Sequence, residues 1–424
     1  MITRTIDIAK GVRLNYIHTD KFKTNLISFN FITQISKDSA HLNAMLPIIL
    51  MRGCKKYPTQ AELNKRLQYL YSADIDAKND KLGEFQIFGF STNMLNDRFT
   101  GEIKMTEEMT ELLCQLIFEP YLENGVFSRK YVEGEKINLI DAIEAEINNK
   151  TRYSMNRCLE EMCKDEIFSV KKFGTVEQVE CINAKALYEA YKKAIKECKI
   201  EIYAVGECNC EKIASIFRSY FEGIERDVRE PVLYPIVRAA KEVKRIDECQ
   251  DINQGKLCIG MRTGRNIEDG NFHVAQLFSE IYGASPTSKL FVNVREKMSL
   301  CYFCRSVIQQ RNGVLMVASG IEFANKEIAE EAILKQLEAI KNGEISAEEL
   351  DNAKRSLRNA YMHIYDSLEA MEAWTLNRSM SKNYDTPESE RDKVENATVD
   401  EIVAFAKEIT LDTVYFLKGE SENG

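Results

Sequence analysis

Residues Ile281–Ser306, IYGASPTSKLFVNVREKMSLCYFCRS, decide how the rest of the chain is read. Gly283-Ala-Ser-Pro286 is a turn, Thr287–Lys297 has the apolar spacing of an amphipathic helix, and Leu300–Cys304 is apolar and aromatic enough for a strand. Arg295 and Tyr302 stand seven residues apart across that helix-to-strand junction. A guanidinium is a permanent cation with a planar donor fork and a phenol is a donor, so the pair suits a peptide carbonyl or an oxyanion. Packing alone also places Arg and Tyr at such junctions, so the pair takes its meaning from the surrounding chain.

The chain has 424 residues, and at about 150 residues per domain that predicts two to three domains. Its 44% hydrophobic content is ordinary for a soluble globular protein. A net charge of −9, with Lys and Arg scattered, argues against nucleic acid as the main partner. The first residues lack a basic stretch followed by an apolar one, and no apolar run approaches the roughly 18 residues of a membrane span, which predicts a cytoplasmic protein with no membrane partner. Twelve cysteines are dispersed and read as reduced thiols. Cys208-x-Cys210 and Cys301-x-x-Cys304 lack further ligands at zinc spacing. On a regular strand Cys301 and Cys304 would also fall on opposite faces, so neither a metal nor a redox role is expected.

Alternating residues Ile27–Thr33 predict a strand, and His41–Met51 an apolar helix closed by Gly53. The box Thr59-x-x-Glu62 starts a second helix, and Ile75–Ala77 and Glu84–Phe90 read as paired strands. Helical segments follow, then a strand from Ile200 to Gly206 and a helix to Tyr220. Residues 227–240, with Pro231 and Pro235 and no clear period, are the linker between domains 1–226 and 241–424. Beyond the linker the order begins again. Ile49-Leu-Met-Arg-Gly-Cys-Lys-Lys-Tyr-Pro-Thr59 answers Ser279-Glu-Ile-Tyr-Gly-Ala-Ser-Pro-Thr287 at an offset of 230, laying Leu70 on Leu300 and the strand at Tyr71 on that at Tyr302. Each half closes on a strand ending Gly-Glu, at 206–207 and 419–420, which indicates a duplicated α+β domain.

The chain resembles the M16 peptidases, the pitrilysin or insulinase type with a processing-peptidase-like fold. The resemblance rests on Ser288-Lys-Leu-Phe291, Arg295-Glu-Lys297 and Leu300-Cys-Tyr302, with Ser319-Gly-Ile321 and Gly343-Glu-Ile-Ser-Ala-Glu-Glu-Leu350 also fitting. It implies an α+β fold of two tandem homologous α/β domains of the LuxS/MPP-like metallohydrolase type, forming half of a clamshell. Active members carry His-x-x-Glu-His on the apolar helix, two zinc ligands with a general base between them. Here those positions fall on Ala44, Pro47 and Ile48, none of which binds zinc or moves a proton. The four histidines, at 18, 41, 273 and 363, cannot make the motif elsewhere, and His41 reads as a surface or capping residue. Glu144 and Glu146, near the place of the family's third ligand, read as helix-surface acids. No cofactor or metal is expected in this chain.

What the resemblance implies is a non-catalytic pseudopeptidase subunit of a heterodimeric zinc peptidase. Arg295 and Tyr302 would act in trans on the substrate carbonyl and its oxyanion, and zinc would sit in the paralogous partner. Peptide would be taken as an added strand by an edge strand at Glu84, Phe85, Gln86, Ile87 and Phe88. Within the family, the chain resembles a bacterial, Firmicute-like group associated with aminopentanol modification of elongation factor P. The alternatives are a peptide-binding or scaffold protein without proteolysis, with or without a link to that modification, and a purely structural protein in which Arg295 and Tyr302 are packing residues.

Overall fold

The structure is a computed structural model and describes residues 1–382 and 385–419. In chain order the first half runs β1 (Arg4–Ala9), β2 (Val12–His18), β3 (Thr24–Gln34), α1 (Ala40–Leu50), α2 (Gln60–Tyr69), β4 (Asp74–Leu82), β5 (Phe85–Leu95) and α3 (Met105–Phe118). It continues with the hairpin β6 (Leu122–Glu123) and β7 (Val126–Phe127), then α4 (Arg129–Glu144), α5 (Lys150–Met162), α6 (Val176–Glu180), α7 (Ala184–Glu197), β8 (Lys199–Gly206) and α8 (Cys210–Phe221). Residues 224–243 carry no helix or strand. The second half comprises β9 (Lys244–Gln250), β10 (Gly255–Arg262), α9 (Phe272–Ser279), β11 (Cys301–Gln309), β12 (Val314–Ile321), α10 (Lys326–Lys341), α11 (Ala347–His363), α12 (Leu368–Ser379), α13 (Pro387–Asn396), α14 (Val399–Glu408) and β13 (Thr410–Gly419). Between α9 and β11 lie two π-helical segments, Glu280–Ala284 and Leu290–Lys297.

Two compact units result. The first holds Met1–Glu144, Val170–Leu233 and Ser367–Asn377, and the second holds Ala145–Ser169, Tyr234–Asp366 and the residues from Arg378 on. The compact units thus differ from the chain-order halves by two segments, one around α5 and one within α12.

Each unit is built on one sheet of the same pattern. The first sheet runs β1-β2-β8-β3-β5-β4 and the second runs β9-β13-β10-β12-β11 from the opposite side of the written order. In both, the last strand of the half pairs in parallel with the first of the motif, β8 with β2 and β13 with β9, and the other neighbours are antiparallel. The duplication read from sequence is therefore present strand by strand, with β1 added to the first copy. Asp74 and Cys301 open the equivalent edge strands 227 residues apart, three fewer than the offset of 230 at Gly53 and Gly283. Glu420, half of the second Gly-Glu ending, lies outside the described residues.

The shared glycine has a different cause in each copy. Gly53 has a φ of 147°, and a Cβ there would lie 2.5 Å from the Tyr57 carbonyl oxygen. At Gly283 a Cβ would meet the Ser306 backbone nitrogen at 2.9 Å, so the π-helical turn can close onto β11 only without a side chain.

In the first unit, Ile27, Phe29 and Phe31 of β3 share one buried core with Met45, Leu46 and Ile49 of α1. The alternate residues Ser28 and Asn30 point to the other face, where both donate to Glu372 of α12, at 2.7 and 3.2 Å, and Lys78 of β4 pairs with it at 3.0 Å. A carboxylate this buried is tolerated only with such partners.

Candidate functional site

The segment carrying Arg295 forms a helix from residue 289, two residues later than its sequence pattern, and it is widened. The Met298 amide donates to the Asn293 carbonyl at 3.1 Å, a bond across five residues, and Leu300 reaches back to Val294 at 3.3 Å. Such π-turns recur at functional sites. Ser299 then takes a left-handed φ of 52° and reverses the chain into β11.

On this frame the Arg295 guanidinium lies 4.4 Å from the Phe291 ring centroid, and its Nε donates to the Tyr302 carbonyl at 3.1 Å. Arg295 and Tyr302 are thus brought together, the arginine fixing the backbone of the tyrosine. The Tyr302 side chain itself is 67% exposed. A register shift between Cys301 and Phe303 explains why: Cys301 faces Ile321 and Phe303 faces Gly320, which leaves Tyr302 as the extra, bulged residue. A bulge re-aims one side chain out of the sheet's alternation.

The other signature segments converge on the same junction. Ser319 donates to the Phe303 carbonyl at 3.1 Å, and a Cβ on Gly320 would come within 2.6 Å of the Phe303 ring. Lys289, buried, pairs with Glu349 at 2.8 Å, and Glu349 also accepts from the Ser346 amide as the third helical residue of the α11 capping box. Residues 288–291, 319–321 and 343–350 therefore build the base from which Arg295 and Tyr302 emerge.

The bulge also corrects the expectation for the two cysteines. Skipping one residue changes the parity of the strand, so Cys301 and Cys304 are both buried on the same face instead of opposite ones. On that face they stand opposite Ile321 and Ser319 of β12.

In the first unit Ala44, Pro47 and Ile48 lie along α1. Ala44 is fully buried, and its carbonyl accepts from the Asn79 side chain at 2.9 Å. His41 is half-buried, its imidazole pushed toward the neutral form by burial and its Nδ1 without a partner. Glu144 is exposed at the end of α4, while Glu146 accepts a hydrogen bond from Asn156. Among the described residues no cluster of three or more His, Cys, Asp or Glu is placed to hold a metal ion, and no helix is long and apolar enough to cross a membrane. The positions of the zinc motif do not fit zinc.

The expected edge strand needs correction. Phe85, Gln86, Ile87 and Phe88 lie on β5, which is hydrogen-bonded to β3 on one side and β4 on the other, and Glu84 lies in the turn before it. All four β5 side chains are buried, and Gln86 donates to the Ala40 and Lys172 carbonyls, each at 2.9 Å. An inside strand has no backbone groups left for a peptide. The edge belongs to β4, whose Asp74, Asp76, Lys78, Asp80 and Lys81 contrast with the unbroken apolar run of Phe85–Phe90. That contrast was the available signal, because inside strands bury both faces and edges carry charge. Glu372 had none: its partners are some 300 residues away in sequence.

The family model "Peptidase M16 inactive domain" matches residues 182–357. A relative from Bacillus subtilis (strain 168), "Probable inactive metalloprotease YmfF", is 33% identical over 410 residues, covering 96% of each chain. A second from the same organism, "Uncharacterized zinc protease YmxG", is 26% identical over 175 residues, 40% of this chain and 39% of its own length. A conserved protein from Enterococcus faecalis V583 has a crystal structure similar at a TM-score of 0.93, with 28% identity and 99% of both chains covered.

Proposed function

We propose, proceeding from the fact that the chain belongs to the M16 peptidase family as an inactive homologue, that it is the non-catalytic subunit of a heterodimeric M16-type zinc peptidase. The observation that carries this reading is an asymmetry between the two copies of the fold. The first has Ala44, Pro47 and Ile48 where ligands and base would stand, while the second keeps Arg295 clamped to a bulge that leaves Tyr302 exposed. Groups that can hold a carbonyl without a metal of their own suit chemistry supplied by another chain. The pair of B. subtilis relatives, one named as inactive and one as a zinc protease, supports looking for that chain among paralogues.

In this reading the peptide adds as a strand to an exposed sheet edge, with β4 in place of the inside strand β5 as the candidate in the first unit. Arg295 orients the scissile carbonyl, and the Tyr302 hydroxyl donates to the negative charge that develops on it during attack at the partner's zinc site. Both donors act on charge that grows in the transition state, so they contribute to rate more than to binding.

The test is a reconstituted pair with a paralogue bearing His-x-x-Glu-His. Arg295→Ala and Tyr302→Phe are each expected to lower kcat for peptide cleavage by about a hundred- to a thousandfold, or about 2.7–4 kcal/mol, with the pair still assembled. Cleavage unchanged by both substitutions overturns the trans-acting role. A chain that binds peptide but never changes cleavage by the paralogue is instead a binding or scaffold protein, the reading in which any link to elongation factor P modification would lie.

A further inference from the structure

Two thiols three residues apart on a regular strand are separated by the thickness of the sheet. On β11 they are not. Burial along the strand records the slip at Tyr302: Cys301, Cys304 and Ser306 are inside, whereas Tyr302, Arg305 and Val307 are exposed. Cys301 and Cys304 thus share one face, side by side along β11 opposite Ile321 and Ser319 of β12. Both are free thiols.

Their surroundings make the two sulfurs unequal. Interaction with Cys304 outweighs the effect of burial at Cys301 and, with help from Ser319 and the Arg295 charge, draws its thiol below the ordinary value. The same interaction, reinforced by burial, pushes Cys304 well above the usual range. Burial is the largest cause that drives up other deeply buried thiols, among them Cys114, where Glu111 adds to it, and Cys258, where Lys256 opposes it. A low-lying attacking thiol beside a protonated resolving thiol is the arrangement used in disulfide exchange.

We propose that Cys301 and Cys304 are a dithiol that closes to a reversible intrachain disulfide, a redox-modification site at the base of the bulge that presents Tyr302. The oxidant is a low-molecular-weight disulfide such as oxidised glutathione. The Cys301 thiolate attacks one of its sulfurs, the reagent's S–S bond breaks, one half leaves as a thiolate and the other stays on Cys301 as a mixed disulfide. Cys304 gives up its proton and attacks the Cys301 sulfur, and the second half leaves and is protonated to the thiol. The protein has lost two electrons and two hydrogens, and the reagent has become two thiols. Closure draws the two Cβ atoms to about 3.8 Å, and since the bulged residue lies between them, Tyr302 moves with it. The site is independent of the proposed peptidase partnership.

Trypsin releases both cysteines, and no others, on the single peptide Met298–Arg305. The full chain is treated with oxidised glutathione near neutral pH, its remaining thiols are alkylated, and the digest is weighed. The expected result is Met298–Arg305 without alkylation and lighter by two hydrogens, returning to the dithiol on reduction. In Cys304→Ser the glutathione adduct stays on that peptide, and in Cys301→Ser the peptide carries none. The exposed Cys181 and Cys249 carry adduct in every sample and show that the reagent was active. If Met298–Arg305 of the unsubstituted chain returns doubly alkylated beside modified Cys181 and Cys249, or keeps an unresolved adduct, the proposal is wrong.

Discussion

Arg295 is held before any substrate arrives: its planar face rests on Phe291 and one of its donors is committed to the Tyr302 carbonyl, leaving the rest of the fork for a ligand. Lysine, a point charge on a flexible stem, could reproduce neither the stack nor the directed Nε bond. Tyr302 owes its exposure to a one-residue bulge that no propensity scale reports, and the two cysteines beside it owe their shared face to the same residue. At this scale the sequence was legible in identity and partly blind in direction. Arg295 and Tyr302 could be picked out from their motif, but the parity of the strand could not. In the first unit identity alone settles the chemistry. Ala44, Pro47 and Ile48 offer zinc no lone pair, and Ala44, fully buried, leaves no room for an imidazole without overpacking. The purified chain is therefore expected to carry no stoichiometric zinc, and EDTA is expected to leave its thermal midpoint unchanged. Tightly bound zinc by elemental analysis, or a midpoint that falls with chelator, would contradict this.

Among the elements, strands and helices were readable from period and caps, as the box at Thr59 shows by closing in the structure. Two matters were not readable. Inside and edge strands were confused at β4 and β5, because hydrophobic alternation names a face and leaves the neighbour open. The sheet that an amphipathic helix covers is equally silent, since the period shows an apolar stripe without its destination. α5 follows α4 in sequence, yet belongs to the second unit, where Cys158 and Met162 pack with Cys258, Met316 and Tyr415. Polar bonds fix it there. Arg262, buried, binds Glu166 at 2.6 Å and Asp412 at 2.8 Å, and Tyr153 of α5 donates to Glu248 of β9 at 2.6 Å. Burial pushes the Glu248 carboxyl up, but Tyr153, Tyr415, Gln250 and Arg157 together outweigh it and hold the group below its ordinary value. A depressed carboxylate contributes stability that is fully present above its unfolded value of about 4.3 and is lost as pH falls through the folded one. Glu248→Gln should therefore be less stable than the parent at pH 7, and the gap should shrink on acidification, with a slope difference of at most about 1.4 kcal/mol per pH unit. Urea midpoints measured from neutral pH to below the folded value, down to about pH 3, would show it, and a gap that stays constant over that range would remove Glu248 as an acid-sensitive tie of α5 to its sheet.

For the molecule as a whole, the duplicated sheet means that each functional feature has a structural counterpart with a different fate. β4 and β11 are equivalent edge strands, the first lined with alternating charge and the second opening on Tyr302; the helix of Ala44 and Pro47 corresponds to α9 and its π-helical continuation. In the proposed heterodimer reading the first copy lacks the ligands and the second supplies the donors, the division expected of a complete site assembled from two chains. The two readings separate by stoichiometry. With the zinc-bearing paralogue held fixed and this chain titrated in, the heterodimer reading predicts cleavage that rises linearly and stops at a one-to-one ratio, together with one complex in size-exclusion chromatography. Tyr302→Phe should titrate to the same end point at a lower plateau, because the phenol lies exposed and supports no core packing. A binding protein working alone would leave the rate flat, or lower it by sequestering peptide in proportion to added chain with no break at equivalence. A break at equivalence with an unchanged plateau for Tyr302→Phe would keep the partnership and remove the tyrosine from it.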